Sequence, residues 1–431
     1  MVKKKVGSIT LAVGLITVGV LLFCKNFIEL PIKDIYKYWP VLLIGLGLEM
    51  ILYMVLYGRN NSEVKLSVDG LCIVFIIVLG LLSNGVRFIN IDDPGRMFFN
   101  FNGNSVIDGV RYRTEVNETY TKDNISSSYN IKELKVTNTF GDIKVLPTDA
   151  KSISIEAKVR VKCNDENKAR AYAKDAVEIK EGEITEISPK NPSGVDKNDF
   201  GKAQIDFTIY VPKQASVDAD GSFGDISVEG IDGNAVLENK NGQIKASGIG
   251  GSVDIDNSFG DIEVKGVGGK ADIANKNGEI TAEEITGAAV LENHFGDIQA
   301  AKVGGDLKTI NNNGQITVQD ITGKAEITNS FGDINMENIG SDINVENKNG
   351  RIEAVGAKGS ASITNSFGDI SYESPNINNS DIYAKTRFGD INGSEPLQVS
   401  KNNQETTAQG KLGSGQYKVE LMTNNGNIDI K

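Results

Sequence analysis

The feature that most restricts how this chain can fold is a repeat. Phe-Gly-Asp-Ile begins at Phe223, Phe259, Phe295, Phe331 and Phe367, at equal intervals, and Asn-Gly-x-Ile begins midway, at Asn241, Asn277, Asn313 and Asn349. The period is therefore the step from Phe223 to Asn241, with two coil types alternating. Glycine fills positions 224, 242, 260, 278, 296, 314, 332, 350 and 368, and isoleucine recurs just after each, from Ile226 to Ile370. Other apolar columns run through Val228, Ala246 and Val264, through Ile231, Ile249 and Val267, and through Leu237, Ile255 and Ile273, the last broken by Thr309.

Alternation such as Ile226-x-Val228 is the period-2 signature of strand. One such unit cannot bury its apolar face alone, but stacked units share a continuous core. The expected fold is all-β: a parallel β-solenoid of two or three short strands per coil. Eighteen residues per coil suits either hand, and right-handed winding is the expectation. Like side chains then recur at the inter-strand spacing of ~4.8 Å, so nine coils measure on the order of 40 Å. The glycine column requires positive φ or a close backbone approach. The column Asn239, Asn257, Asn275, Asn293, Asn311, Asn329, Asn347 and Asn365 reads as a structural, hydrogen-bonded ladder that satisfies buried amides.

Composition narrows the chemistry. With 47 Gly, 9 Pro and 7% aromatics, the chain suits tightly turned β structure. A single histidine, His294, nearly excludes a Ser-His-Asp triad or a His-clustered metal. It shares a column with Lys240, Ser258 and Lys276, which marks an exposed position. Three cysteines make no disulfide framework. A net charge of −12 argues against nucleic acid as a partner.

The charge is unevenly divided. Residues 1–90 hold nine Lys/Arg against five Asp/Glu, giving +4 and leaving −16 for the remainder. Three apolar runs in that head, ~6–24, ~39–57 and ~68–86, each approach the ~20 residues of a membrane-crossing helix. Tyr36, Tyr38, Trp39, Tyr53 and Tyr57 sit at interfacial positions. Glu49 is read as paired or near a headgroup. Lys3, Lys4 and Lys5 argue for a cytoplasmic N-terminus, so that three spans place the body outside. A lipoprotein cysteine at Cys24 is disfavoured by the bulky Leu22-Phe23 before it.

The expected organisation is a transmembrane region at 1–90, linker and first strands at 91–130, and an irregular N-terminal cap at 131–215 containing one helix at Asp165–Val177. Regular coils follow at 216–372 and an irregular C-terminal cap at 373–431. The caps would shield edges that otherwise invite aggregation.

The Gly-Asp-Ile repeats, with the strand-rich lead-in ending at Val211-Pro212, resemble the putative-adhesin β-strand-repeat family of bacteria, over roughly residues 130–431. The head, from Gly7-Ser8-Ile9 through Trp39-Pro40-Val41-Leu42-Leu43-Ile44-Gly45, resembles membrane segments of Lia-type cell-envelope stress proteins. Both resemblances imply a Gram-positive envelope setting, and neither transfers a catalytic residue.

Two columns compete as sites. Asp225, Asp261, Asp297, Asp333 and Asp369 lie ~10 Å apart, twice the strand spacing. That is too far for two of them to share one calcium ion, although Glu279 could join Asp261 and Asp297 in an acidic patch. The expectation is turn-forming aspartate, each capping its own corner, with metal as the alternative. Phe223, Phe259, Phe295, Phe331 and Phe367 are either a stripe suited to glycan or lipopeptide stacking or, as expected, rings tucked into the corner.

Coils without insertions offer no cleft, so no enzyme and no cofactor are expected. The reading is a membrane-anchored, multi-pass envelope protein whose acidic solenoid lies outside the cell and serves adhesion, ligand binding or stress sensing. Its partners would be membrane lipid and cell-wall glycan, antimicrobial peptide or envelope-stress proteins. The alternative is a cytoplasmic scaffold assembling through its solenoid.

Overall fold

The computed structural model describes residues 2–6, 49, 64–68, 106–107, 110–111, 114–190, 200–393 and 397–431. The chain divides into two units, residues 1–105 and 106–431. In the first, Val2–Val6 pairs in parallel with Val64–Val68, Val2 opposite Val64 and Val6 opposite Val68. Glu49 is helical and buried. Among the described residues no helix is long and apolar enough to cross a membrane. The expected spans lie outside the described residues except for Val6, Glu49 and Val68.

The second unit is built from two long, mainly parallel sheets, consistent with a solenoid. Each coil supplies two strands, one to each sheet: Ala235–Asn241 joins the first and Ile244–Ile249 the second. Every strand of the regular coils pairs in register with its equivalents one coil away, so that Ile244 faces Ile262 and Ile262 faces Ile280. Ala235, Leu237, Ile244, Ala246 and Ile249 are all within 1% of full burial, so the core is the space between the sheets. Each buried isoleucine contributes about 1.5–3 kcal/mol, repeated coil after coil.

The interruption at Thr309 coincides with a change at another inward position of the same strand. Its coil carries Leu307 where the coils on either side carry Ala289 and Ala325, so a larger inward residue stands beside the smaller Thr309.

The glycine column meets both conditions expected of it. Gly260 has φ +125°, and a Cβ there would lie 2.2 Å from the Gly242 carbonyl oxygen. Backbone conformation and stacking distance each require glycine.

Both ends exchange the order of their coils. In the first sheet Glu133–Asn138 lies between Ile184–Pro189 and Ser216–Phe223, so the earliest coil sits inside the one that follows it in sequence. At the other end Tyr417–Asn425 lies between Ala361–Phe367 and Ser380–Phe388. The second sheet repeats this, with Ile428–Ile430 between Ile370–Glu373 and Ile391–Gly393. Antiparallel strands then extend the first sheet, Glu405–Lys411 against Ser380–Phe388 and Gln398–Asn402 beyond it. The helix of the N-terminal part, α1, covers Glu166–Ala173, shorter than expected. Asp165 caps it by accepting from the Asn167 and Lys168 N–H groups, and Val177 already begins a strand.

Candidate functional site

The most distinctive surface is the corner where each first-sheet strand ends. The rings of Phe223, Phe259, Phe295, Phe331 and Phe367 do not tuck in; they are 49%, 53%, 55%, 53% and 54% exposed. The physical reason is parity along the strand. Asn239 and Asn257 face inward, and strict alternation would turn Asn241 and Phe259, the last residues of their strands, to the core as well, but the pairing skips Lys240 and Ser258 just before them. The chain instead turns at the glycine, and the corner interior is occupied by the asparagine amides.

Phenylalanine and asparagine alternate in register: Phe223, Asn241, Phe259, Asn277, Phe295, Asn313, Phe331, Asn349, Phe367. The inserted C-terminal coil continues the order, with Asn425 facing Phe367 on one side and Phe388, 46% exposed, on the other. At the opposite end Phe140 stacks directly on Phe223, centroids 5.3 Å apart and planes within 7°.

Beneath the rings, the asparagine column does not bond to itself. Each side chain donates from Nδ2 to a glycine carbonyl one coil back: Asn239 to Gly224 at 2.8 Å, Asn293 to Gly278 at 2.8 Å, Asn365 to Gly350 at 2.8 Å. Asn257, Asn275, Asn311, Asn329 and Asn347 do the same. In five coils Oδ1 also accepts from the following N–H, as Asn257 does from Ser258. Threonine replaces asparagine in the C-terminal coils, Thr423 donating to Gly368 and Thr386 to Gly426.

Each aspartate of the Gly-Asp-Ile string caps the next coil rather than its own. Oδ1 of Asp225 accepts from the Gln243 N–H, Asp261 from Glu279, Asp297 from Gln315, Asp333 from Arg351 and Asp369 from Asn427. These side chains are thereby held at the turn. Glu279 accepts from Gln299 Nε2 at 2.6 Å. Among the described residues no group of three or more His, Cys, Asp or Glu is placed to hold a metal ion. Exposed His294 shares a 3.4 Å contact with Asn312.

Two further columns escaped sequence reasoning. At the corner opposite the rings, Ser216, Asn234, Ser252, Asp306, Asp342 and Ser360 each accept from an N–H one coil on. The signal was present as a series of short polar acceptors at the coil interval, hidden because its residue type varies. A left-handed column runs through Gly230, Gly248 and Gly266, then Glu284, Lys302, Asp320 and Asn338. Its glycines were visible and its continuation in other residues was not. Ion pairs such as Lys245–Glu263 and Lys265–Glu283 line the second sheet's outer face, around a shallow depression of about 250 Å³.

A crystal structure of a putative cell adhesion protein from Clostridium sporogenes aligns over 73% of this chain and 99% of its own length, at 10% identity. Its TM-score is 0.19, a likeness too loose to support any argument about fold or function. No curated protein matches the chain. Residues 9–51 match the family described as the LiaI-LiaF-like transmembrane region, and residues 290–431, which include the last ring-bearing coils, match the family described as Toastrack DUF4097.

Proposed function

We propose that this is a membrane-anchored, non-enzymatic envelope protein. Its three N-terminal spans hold an acidic β-solenoid outside the cell, where the outward row of phenylalanines meets an envelope ligand. The observation that carries the reading is that row, because a soluble surface does not keep a regular aromatic stripe in water without a use for it.

The anchor is supported by the match of residues 9–51 to a transmembrane region and by the pairing of Val2–Val6 with Val64–Val68. Those strands end on the first residues of the first and third expected spans. Lying side by side, they suit an arrangement in which two intervening spans return the chain to the face it left. A third span then carries the body to the opposite face. Assembly end to end as a scaffold is less well supported, since the outermost strands are the antiparallel Gln398–Asn402 and the short Ile391–Gly393 at one end and the antiparallel Val177–Lys180 and Thr114–Ile125 at the other.

The test is the side of the membrane on which the body lies. Cys163 is fully buried, and burial pushes its thiol up, so the native residue is a poor probe. The full-length chain with Cys24, Cys72 and Cys163 changed to Ser and exposed Lys358 changed to Cys should react with an impermeant maleimide on intact cells. Reaction only after lysis would overturn the envelope reading.

A further inference from the structure

The alternation of rings and amides specifies more than a sticky edge. From Phe223 to Phe388 a ring recurs on every second coil, so rings stand about 9.6 Å apart along a row of roughly 48 Å. The C-terminal coil exchange shows that this phase matters. Without the insertion, Phe388 would fall on the coil beside Phe367, as Phe140 falls beside Phe223; the inserted Asn425 restores the two-coil interval. Between the rings lie the amides of Asn241, Asn277, Asn313, Asn349 and Asn425, each exposed or half-buried. No described side chain bonds to them.

We propose that this row binds a linear β-1,4-linked glycan laid along the stack, one ring under every second sugar. The inference rests on the envelope reading and names its ligand class. In a β-1,4-linked chain each pyranose is flipped relative to the last, so the same C–H face recurs once per disaccharide, at a repeat close to the ring interval. Phenyl faces accept those C–H groups, and the interleaved amides can both donate to and accept from sugar hydroxyls. A polymer suits a site with no pocket: each contact is weak, and repetition multiplies them. A lipid surface fits less well. The exposed carboxylates of Asp225, Asp261, Asp297, Asp333 and Asp369 flank the rings along the row and oppose anionic headgroups.

The test is titration of the full-length chain in micelles with β-1,4-linked N-acetylglucosamine and glucose hexasaccharides, the corresponding disaccharides, and the α-1,4-linked glucose hexasaccharide. A β-1,4 hexasaccharide should bind at least about tenfold more tightly than its disaccharide, and the α-linked chain should not bind. Phe295→Ala should weaken binding about two- to tenfold, and adding Phe259→Ala and Phe331→Ala should abolish it. Duplicating residues 307–324 adds one asparagine-type coil between Phe295 and Phe331. With the Phe295–Phe331 interval thus widened from two coils to three, so that two coils lie between these rings, it should lower hexasaccharide affinity as a lost ring does, while the melting transition is retained.

Equal binding of α- and β-linked chains, or indifference to the triple replacement or the duplication, would overturn the proposal. So would finding that the rings serve only binding to anionic vesicles or self-association. If cells label on the outside but no sugar binds, the glycan assignment falls and the envelope reading stands. If labelling needs lysis, the envelope reading falls whatever the titration gives.

Discussion

The middle coils and the two ends use the same strands but assemble them differently. In the middle, each strand's partners are its equivalents in the adjoining coils, so pairing is local and the interface is the same at every step. At the ends, the innermost irregular coil is supplied by a segment farther along the chain: Ala361–Phe367 pairs with Tyr417–Asn425, across a hairpin and another coil. The aspartate ladder runs through both exchanges without a break. Asp206 accepts from the Asp142 N–H and Asp142 from Asp225 at one end; Asp369 accepts from Asn427 and Asn427 from Asp390 at the other. Corner chemistry is thus indifferent to chain order, whereas closure of the ends depends on it. An end whose last layer is threaded between two others cannot fray one coil at a time.

That contrast should appear first in deletions. Removing residues 413–431 takes Val419, Leu421, Ile428 and Ile430 from the core and strands the coil beyond them. At about 1.5–3 kcal/mol per side chain, roughly 6–12 kcal/mol is lost. Residues 374–412 should then become protease-sensitive and the protein should aggregate. Removing residues 259–294 from the middle, one full double repeat, rejoins Ser258 to Phe295 in phase and should leave a folded, cooperative protein. If both deletions melt alike, the ends have no special role.

Within the regular coils, two glycine columns separate stacking from backbone conformation. Gly260→Ala faces both positive φ and a carbonyl 2.2 Å from the new Cβ, and should cost at least about 3 kcal/mol in denaturant titrations. Gly266→Ala, with φ +69° and its nearest atom 3.7 Å away, should cost only about 1 kcal/mol. Glu284 and Lys302 already tolerate the equivalent position. An effect of opposite sign is expected at Thr309, whose buried hydroxyl has no partner among the described residues. Thr309→Val keeps the shape, removes the orphaned group and should raise stability by about 1 kcal/mol.

These residues also mark what could be read from the sequence. The isoleucine and glycine columns announced period, strands and core, because burial and stacking constrain residue type at every coil. The Asn239–Asn365 column announced a ladder but not its direction, since a buried amide can bond equally to its neighbour's side chain or to the backbone. Ring exposure turned on which way the chain leaves Phe259, a property of the turn rather than of the alternation before it. The interval from Phe367 to Phe388 falls out of step with the repeat and signalled irregularity, yet an insertion and a simple longer loop leave the same gap. Only the return of Asn425-Gly426-Asn427-Ile428 hinted that a further coil remained to be placed.

The smallest expected effects distinguish the two regions by pH. In the middle, Asp254 faces Asp272 across adjacent parallel strands. Partial burial, then the charges of Asp272 and Asp256, hold its carboxyl above the usual range. The folded state therefore keeps this proton longer than the unfolded chain does. Stability falls as pH rises from the unfolded value of about 3.9 through the raised folded value, and the whole penalty is present at neutral pH. At the N-terminal end Glu181 is held below its usual range, first by the Ser126 N–H and then by Lys122. Its contribution is complete above the unfolded value of about 4.3 and disappears as pH falls through the depressed folded one. Asp254→Asn should therefore stabilise the protein at pH 7 and Glu181→Gln destabilise it. Each effect is about 0.5 kcal/mol, because both side chains are substantially exposed and screened. Both differences should shrink as melts are taken to progressively lower pH, and a shift of the same sign in the two variants at pH 7 would refute the opposition between middle and end.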